Sequence, residues 1–468
     1  MRPFLTPVRT QRGACQTLLS KRQLQLTIDD LAYDGKAVAH LDGKVVFLDT
    51  GLPGETVLAE ITRTKSRYSQ AIVKEILDRS PRRIAAICSH FGACGGCSWQ
   101  DLRYDDQLLF KKHHVAECLA RIGGFSDVPV NDVIPSEDLF HYRNKMEFSF
   151  HLMGEDRFHL GLHRRGHFDD IFDLESCHLQ HDLANRLVAF VREYVRREQL
   201  PVYDVIAHRG YMRFLIIRRA ARTGQIMVSV VTNRGVFPQP DRFVQELTGQ
   251  FPEVTTIIHG ETGSRSNVAV SELETVLYGP GFIEEELLGM RFRIRAASFF
   301  QTNTAQAERL YEAGFDLLNP QATDRLLDLY CGTGTIGLLL ATRVAEVVGV
   351  ELVPDAIVMA RENAALNDIG NAVFHQAPVR EFLREQAFAP GSFDVVVIDP
   401  PRAGLHPRAL KHVIALSAPR LLYFSCNPAT FARDAKELCG VGYAMSEVRP
   451  VDMFPHTRHI ELTALFSR

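Results

Sequence analysis

Three short motifs carry side chains that could do chemistry, and each follows a segment predicted to be a buried strand. DLYCGTGTIG occupies residues 328–337, DPPR occupies residues 399–402, and SCNP occupies residues 425–428. Because the carboxyl ends of parallel strands meet at one edge of a sheet, we expect these motifs to line a single crevice. The sequence therefore predicts a ligand pocket that contains a glycine-rich loop, a carboxylate and a thiol.

The glycine-rich motif is typical of a nucleotide-binding loop. Its glycines let the backbone turn sharply and approach a ligand, and the helix that follows would present free N–H groups. Glu351 ends the next predicted strand, nineteen residues after Gly332, where a carboxylate can accept both hydroxyls of a ribose. A dinucleotide site is the alternative. The acid Asp328 at the start of the loop suits the sulfonium of S-adenosylmethionine better than a pyrophosphate.

The other two motifs favour a uracil ring as the methyl acceptor. Asp399 could orient a ring through an N–H, and uracil has one at N3. C5 of uracil is a weak nucleophile, but addition of a thiolate at C6 gives an enolate that can attack a sulfonium methyl group. Cys426 is the candidate thiol, and Glu461 is the best-placed acid to remove the C5 proton afterwards. The alternatives are a proline-rich turn, a small buried cysteine and a surface carboxylate.

Four other cysteines could hold a metal. Cys88, Cys94 and Cys97 have the spacing CxxxxxCxxC, and Cys177 lies further along the chain. The total of nine cysteines is odd and no apolar signal segment is present, which argues against a secreted disulfide scaffold. Four thiolates suit a structural zinc ion or an iron–sulfur cluster, and the spacing alone does not choose between them.

Length and composition indicate a multidomain globular protein. The chain has 468 residues, which at about 150 residues per domain suggests roughly three domains. Its apolar content of 46% and charged content of 23% exclude a wholly disordered, collagen-like or coiled-coil protein. The uncharged stretch at 329–342 is too short and too rich in glycine to span a bilayer. No membrane contact and no protein partner are predicted.

Charge is distributed unevenly, although the net charge is only −3. Residues 205–240 contain no acid and six arginines, Arg209, Arg213, Arg218, Arg219, Arg222 and Arg234. This segment is either a solvated strand face or a surface that contacts phosphates. Residues 1–28 contain five basic residues and no acid, which suits a disordered basic tail or an organelle transit peptide.

Hydrophobic patterning predicts three kinds of structure along the chain. Short alternating strands between residue 23 and about residue 80 suggest a small β-barrel, for which an OB-type nucleic-acid module is one candidate among several. Residues 83–300 are mixed, with helices predicted at 104–122 and 183–197. From residue 303 onward helices alternate with strands, which predicts a doubly wound parallel sheet.

The motifs together resemble one family. The segments FGACGGCSWQ (91–100), YRNKMEFSF (142–150), SCHLQ (176–180) and SFFQTN (298–303), with DLYCGTGTIGL, DPPRAG and FSCNP, are similar to those of the RNA uracil-C5 methyltransferases of the RumA/RlmD/TrmA type. The resemblance runs from about residue 22 to the C-terminus. It implies a basic tail (1–21), a TRAM domain of OB type (22–82), a central α+β domain with a [4Fe-4S] cluster (83–298) and a Rossmann-like domain that uses S-adenosylmethionine (299–468).

Carried over position by position, the resemblance implies a role for each candidate residue. Cys426 would be the nucleophile and Glu461 the base. The cofactor and target base would be bound by Gln301, Tyr330, Thr335, Glu351 and Asp399, and the cluster would be ligated by Cys88, Cys94, Cys97 and Cys177. The helix at 104–122 is expected to pack on the catalytic domain. The arginine-rich segment and the barrel would hold the RNA while the target uridine is extruded from its fold.

The resemblance leaves the substrate less defined than the chemistry. The cluster cysteines and the TRAM domain favour 23S ribosomal RNA in the cytoplasm, because the plainer transfer-RNA branch typically lacks both. Transfer RNA is the alternative substrate, since relatives with both features also modify it. A non-catalytic RNA-binding or folding factor is the second hypothesis, and a methyltransferase acting on a small molecule or a protein is the third.

Overall fold

Two compact units make up the protein in the computed structural model, which describes residues 23–33, 35–154, 157–167 and 169–468. The first unit ends at Arg83 and the second comprises Ile84–Arg468. The predicted basic tail, residues 1–21, lies outside the described residues. Within the described ranges, no helix is long and apolar enough to cross a membrane.

The first unit is a closed five-stranded barrel with the order β1-β2-β3-β5-β4. Its strands are β1 (Gln23–Leu31), β2 (Ala37–Leu41), β3 (Lys44–Leu48), β4 (Thr56–Thr64) and β5 (Tyr68–Asp78). Leu26 and Ile28 are buried while their neighbours on β1 are exposed, as the predicted alternation requires. The carboxylate of Glu55 is fully buried, where Arg83 binds it through Nε at 2.5 Å and Nη2 at 2.8 Å.

The second unit begins with a sheet of seven strands in the order β12-β11-β10-β9-β6-β7-β8. These strands are β6 (Lys145–Leu152), β7 (Phe158–His163), β8 (Ile171–Asp173), β9 (Met212–Arg219), β10 (Ile226–Asn233), β11 (Val254–Thr262) and β12 (Leu273–Tyr278). Helices α2 (Asp182–Arg197) and α3 (Pro240–Gln250) supply side chains to the hydrophobic core of this sheet. A two-stranded sheet, β13 (Ile283–Leu287) with β14 (Met290–Ile294), follows.

The arginine-rich segment lies mostly within this sheet, so the predicted phosphate-contacting surface is wrong for its central arginines. Arg213 and Arg218 are each 2% exposed on β9, an interior strand of the sheet. Arg213 donates to the carbonyl oxygens of Ser264 and Ser266, and Arg218 donates to that of Ser298. The absence of acids from 205–240 therefore reflects burial of β9 and β10 more than a charged surface.

The C-terminal part forms the predicted doubly wound sheet, in the order β17-β16-β15-β18-β19-β21-β20. Its strands are β15 (Arg325–Leu329), β16 (Glu346–Glu351), β17 (Ala372–Gln376), β18 (Val395–Ile398), β19 (Arg420–Ser425), β20 (Ala444–Val451) and β21 (Glu461–Ser467). The first five pair in parallel and β21 is antiparallel to both its neighbours. Its helices are α4 (Thr304–Leu318), α5 (Thr335–Ala341), α6 (Pro354–Leu366), α7 (Val379–Gln386), α8 (Pro407–Ala415) and α9 (Pro428–Gly440).

Successive residues of these strands pack on opposite faces of the sheet. Leu326 belongs to the core under α4, α5 and α6, whereas Leu327 belongs to the core under α7, α8 and α9. Burial on both faces explains the nearly continuous apolar runs of these strands. The carboxyl ends of β15, β16, β18 and β19 consequently meet at one edge, where the chemical motifs begin.

One early helix belongs to the core of the C-terminal sheet. Helix α1 (Tyr104–Cys118) continues into a π-helical turn, Leu119–Gly123, and ends at Gly124 with φ of 79°. Val115 and Leu119 from this segment share a core with Phe431 and Ala432 of α9. The N-terminal part of the second unit therefore packs directly against its C-terminal sheet through this helix.

Candidate active site

A cavity of about 1290 Å³ opens at the carboxyl edge of the C-terminal sheet. Residues from all three sequence motifs line it, together with the predicted Gln301 from the segment before α4. The predicted site residues that it contains are Gln301, Tyr330, Glu351, Asp399, Cys426 and Glu461. Parallel topology explains the convergence, because the turns that follow β15, β16, β18 and β19 project into the same crevice.

The glycine loop is held in a conformation that leaves its backbone open to the cavity. Gly332 and Gly334 have φ of 54° and 81°, which favours glycine at both positions. The Glu351 carboxylate accepts N–H bonds from Gly332 at 3.2 Å, Leu352 at 2.7 Å and Val353 at 3.0 Å. Its position beside the loop, at the end of β16, is suited to binding ribose hydroxyls.

Asp328 supports the glycine loop through a hydrogen bond to the helix that follows it. It is fully buried and its Oδ2 accepts the Gly337 N–H at 2.9 Å, while its Oδ1 has no hydrogen-bond partner among the described residues. Burial raises the pKa of Asp328 to about 8. A Cβ at position 337 would lie 2.8 Å from Oδ2, so the third glycine of the motif allows the helix to approach this carboxyl.

The Cys426 thiol lies in the turn between β19 and α9. Asn427 caps α9 by accepting the Ala429 N–H at 3.1 Å, and its Nδ2 donates to the Arg402 carbonyl at 3.0 Å. These bonds join the SCNP turn to the DPPR turn. Burial, followed by the negative charges of Glu461 and Asp399, raises the pKa of the Cys426 thiol to about 12, and Arg402 opposes this shift. The thiol is protonated in this state of the protein.

Two carboxyl groups share the cavity with that thiol. Burial raises the pKa of Asp399 to about 6. Burial and then the charge of Asp399 raise the pKa of Glu461 well above its usual range, while Arg402 lowers it. A buried carboxyl with a raised pKa is a stronger base once it is ionised, which suits proton abstraction from carbon.

Thr335 is the one predicted cofactor residue that does not line the cavity. Its hydroxyl lies 3.3 Å from that of Thr333 at the start of α5. Several lining residues were not predicted as site residues, among them Arg143, Phe299, Arg402 and His459. Arg402 stands in DPPR, and Arg143 and Phe299 stand in motifs that carry the resemblance, so motif membership was the available signal. Nothing in the sequence pattern singles out His459.

The four candidate metal ligands line a second cavity, of about 500 Å³. Burial, followed by the charges of Cys177, Cys94 and Cys88, raises the pKa of Cys97 to about 12. Cys94 Sγ accepts the Gly96 N–H at 3.3 Å, and Gln100 Nε2 lies 3.7 Å from Cys97 Sγ. The structure thus places the four thiols around one cavity and directs N–H groups at those of Cys94 and Cys97.

The cysteines do not meet at a single point. Across the described ranges, no three His, Cys, Asp or Glu side chains are arranged to hold a metal ion. Cys97 and Cys177 are buried, whereas Cys88 and Cys94 are partly exposed.

Comparison with known families gives two matches. The tRNA (uracil-5-)-methyltransferase family model matches residues 103–468, and the TRAM domain model matches residues 22–74. The chain is 39% identical over 464 residues to an uncharacterized RNA methyltransferase of Chlorobaculum tepidum, which covers 95% of this chain and 96% of the relative. It is 36% identical over 443 residues to an uncharacterized RNA methyltransferase of Caldanaerobacter subterraneus subsp. tengcongensis, covering 94% and 98%.

A solved structure is similar to nearly the whole chain. It is the Pyrococcus abyssi tRNA (uracil-54, C5)-methyltransferase in complex with S-adenosyl-L-homocysteine. The match has a TM-score of 0.76 and 31% sequence identity, and it covers 95% of this chain and 100% of that one. The barrel, the central sheet and the C-terminal sheet therefore occur together in a solved relative.

Proposed function

The chain belongs to the tRNA (uracil-5-)-methyltransferase family, and from that membership we propose that it methylates C5 of a uridine in 23S ribosomal RNA through a covalent adduct with Cys426. Membership confirms the family resemblance predicted from the motifs: the protein is an RNA (uracil-C5)-methyltransferase with a TRAM domain. The observation that carries the proposal is that the thiol of Cys426, the carboxyls of Asp399 and Glu461 and the glycine loop line one cavity.

The residues at the edge of the sheet fit S-adenosylmethionine, which supplies the methyl group when bound. Glu351 would bind the ribose hydroxyls, with Gly332 and Tyr330 beside it. In the structure the Glu351 carboxylate is bonded to backbone N–H groups. Those bonds fix its position and leave its remaining lone pairs for a ligand.

Cys426 would act first on the extruded uridine, and Asp399 would orient the ring through N3–H. The thiolate adds to C6, and the electron pair of the C5–C6 double bond moves toward C5 and O4, which makes C5 nucleophilic. Because burial, followed by the negative charges of Glu461 and Asp399, raises the pKa of the thiol, its proton must pass to solvent as the ring binds. Arg402 is the positive group that opposes their effect on the thiol.

Glu461 would complete the reaction by taking the proton from the methylated C5. The electron pair of that C–H bond restores the C5–C6 double bond, the C6–S bond breaks, and the Cys426 thiolate leaves. The product is 5-methyluridine in the RNA, and the thiolate is regenerated.

We also propose that Cys88, Cys94, Cys97 and Cys177 ligate a [4Fe-4S] cluster. The donor set supports it, because four soft thiolates around one cavity suit iron and sulfide, and the cavity volume of about 500 Å³ is larger than one zinc ion requires. The cluster would supply a positive core that compensates the four thiolates. Asn185 supports one ligand by bonding both the N–H and the carbonyl of Cys177, at 2.8 and 3.2 Å.

Anaerobically purified protein is expected to be brown and to contain about four iron atoms and four sulfides per chain. Cys97→Ser should lose most of the iron, because replacing a ligand typically weakens cluster binding severely. Cys118→Ser, on α1 and outside the cavity, should keep it. Iron, sulfide and zinc analysis measures this without reference to activity, and stoichiometric zinc without iron would contradict the proposal.

The choice of ribosomal RNA rests on the cysteine set and the barrel, which the resemblance associates with enzymes of that substrate. A second candidate is transfer RNA, and the observation in its favour is the similarity to the Pyrococcus abyssi transfer-RNA enzyme over 95% of this chain. Both candidates use the same site and the same chemistry. They differ in which folded RNA delivers its uridine to the cavity.

Substrate identity is tested by incubating the protein with tritiated S-adenosylmethionine and, separately, unmodified 23S ribosomal RNA and unmodified transfer RNA. We expect label in 5-methyluridine from ribosomal RNA after digestion to nucleosides. Label from transfer RNA alone would retain the chemistry and replace the substrate. Binding of both RNAs with label in neither would favour a non-catalytic RNA-binding factor.

A further inference from the structure

The loop that leads to Glu461 is held by an ion pair and hydrogen bonds from residues outside the C-terminal sheet. We call residues 452–460, between β20 and β21, the base loop. The base loop contributes Phe454, Thr457 and His459 to the lining of the catalytic cavity. Glu461, which also lines the cavity, directly follows the last residue of the loop, Ile460. The C-terminal end of the base loop adjoins Glu461, the first residue of β21, so the position of the loop bears on that of the proposed base.

A buried ion pair holds the start of the base loop. Lys111 of α1 and Asp452 are both fully buried, and Lys111 Nζ lies 2.5 Å from Asp452 Oδ1. Lys111 Nζ also donates to the Phe454 carbonyl at 3.0 Å, and the Tyr104 hydroxyl donates to Asp452 Oδ2 at 3.0 Å. Buried ion pairs contribute little net stability compared with apolar residues of similar size, and their best-attested use is to specify one arrangement.

Gln107, one turn before Lys111 on α1, holds the middle of the base loop. Its Oε1 accepts the His456 N–H at 2.8 Å, and its Nε2 donates to the carbonyls of Trp99 and Leu102. The His456 carbonyl in turn accepts the N–H groups of Ser98 and Trp99, at 2.9 and 3.0 Å. Ser98 directly follows Cys97, so the cysteine-rich segment, α1 and the base loop form one continuous hydrogen-bonded assembly.

We propose that Lys111 and Gln107 are positioning residues that set the location of Glu461 for proton removal, without acting in methyl transfer. The proposal rests on the role of Glu461 proposed above. The glycine loop, Glu351 and Cys426 are carried by other turns of the sheet, to which neither residue bonds. A displacement of about 1 Å at a reacting group can slow a step about 100-fold. Loss of these contacts should therefore affect the last chemical step selectively.

The test measures the two steps separately in one turnover. The substrate is the RNA, ribosomal or transfer, that accepts label in the substrate test, and it is made with [5-³H]uridine. It is mixed with excess protein and [¹⁴C-methyl]-S-adenosylmethionine. Methyl transfer is followed as ¹⁴C in RNA, and C5 proton loss as tritium released to water. In Lys111→Met protein we expect methyl transfer within about threefold of wild type and tritium release slowed at least about tenfold. The methylated protein–RNA adduct should accumulate on denaturing gels.

Lys112→Met is the matched control, because the neighbouring lysine is on the same helix but pairs with Asp132 at the surface. It should release tritium at the wild-type rate. If Lys111→Met does not fold, Gln107→Leu and Tyr104→Phe decide the question by the same measurement. Equal slowing of both steps, or no slowing of tritium release, would overturn the proposal. Wild-type protein that transfers no methyl group to either RNA would instead overturn the proposed function.

Discussion

Replacing Cys426 by alanine is expected to abolish methyl transfer to RNA while leaving S-adenosylmethionine binding within about twofold of wild type. Without a thiolate at C6, C5 of uracil keeps its low nucleophilicity and no other step can proceed. Removal of an essential nucleophile costs about 10⁴-fold or more in other covalent catalysts. Cofactor affinity should persist because Glu351 and the glycine loop are positioned by β15 and β16, whereas Cys426 follows β19.

Cys439→Ala is the matched control for that variant. Cys439 lies near the end of α9, the helix that begins just after Cys426, and it does not line the catalytic cavity. It should methylate at the wild-type rate. Methyl transfer is measured as label in RNA, and cofactor binding by calorimetry. If Cys426→Ala retained turnover, the covalent mechanism would be wrong, and the methyl acceptor bound in the cavity would have to be a different group.

The convergence of the site was predictable because parallel topology determines it. Once the strands before Asp328, Asp399 and Cys426 are recognised as parallel, their following turns must share an edge of the sheet. The helix segments near 104–122, 183–197 and after residue 303 were also recognisable, because apolar spacing and terminating glycines are local signals. The structure places α1 (Tyr104–Cys118), α2 (Asp182–Arg197) and α4 (Thr304–Leu318) in those segments.

Burial by tertiary neighbours was not predictable from the same signals. Arg213 and Arg218 look like surface cations in a segment without acids, but β6 and β10 flank their strand and carbonyl groups from distant loops bind them. Arg213 is far from Ser264 in the sequence, and Lys111 is far from Asp452, so no local sequence pattern indicates that these residues are in contact. Only the folded chain reveals that such pairs satisfy each other's charge or hydrogen bonds.

The sequence alone does not show that the pKa values of the site are shifted, because the shifts depend on the proximity of Asp399, Glu461 and Cys426 in the folded chain. Each group has an ordinary pKa in an unfolded chain. Burial together in one cavity disfavours every negative charge, so the pKa values of the Cys426 thiol and of the Glu461 carboxyl are both raised. The expected consequence is that removing one of the two carboxylates makes the Cys426 thiolate easier to form.

Replacing Glu461 by glutamine is expected to trap the protein on its RNA. Glutamine is nearly isosteric but cannot accept the C5 proton, so the reaction should stop after methyl transfer, with C6 still bonded to Cys426. Loss of a general base typically slows its step by about 10²–10⁴-fold. Formation of the adduct should not slow, because removing the Glu461 charge removes one cause of the raised pKa of Cys426.

The trapped complex is measured as radiolabelled RNA that migrates with the protein on a denaturing gel, and its methyl content as label from S-adenosylmethionine. Glu437→Gln is the matched control, since Glu437 is exposed on α9, and it should release product normally. If Glu461→Gln instead releases free, fully methylated RNA, another group must remove the proton. Asp399 would then be the first candidate, because it is the other carboxyl in the cavity whose charge acts on Cys426, and its pKa of about 6 leaves it ionised at neutral pH.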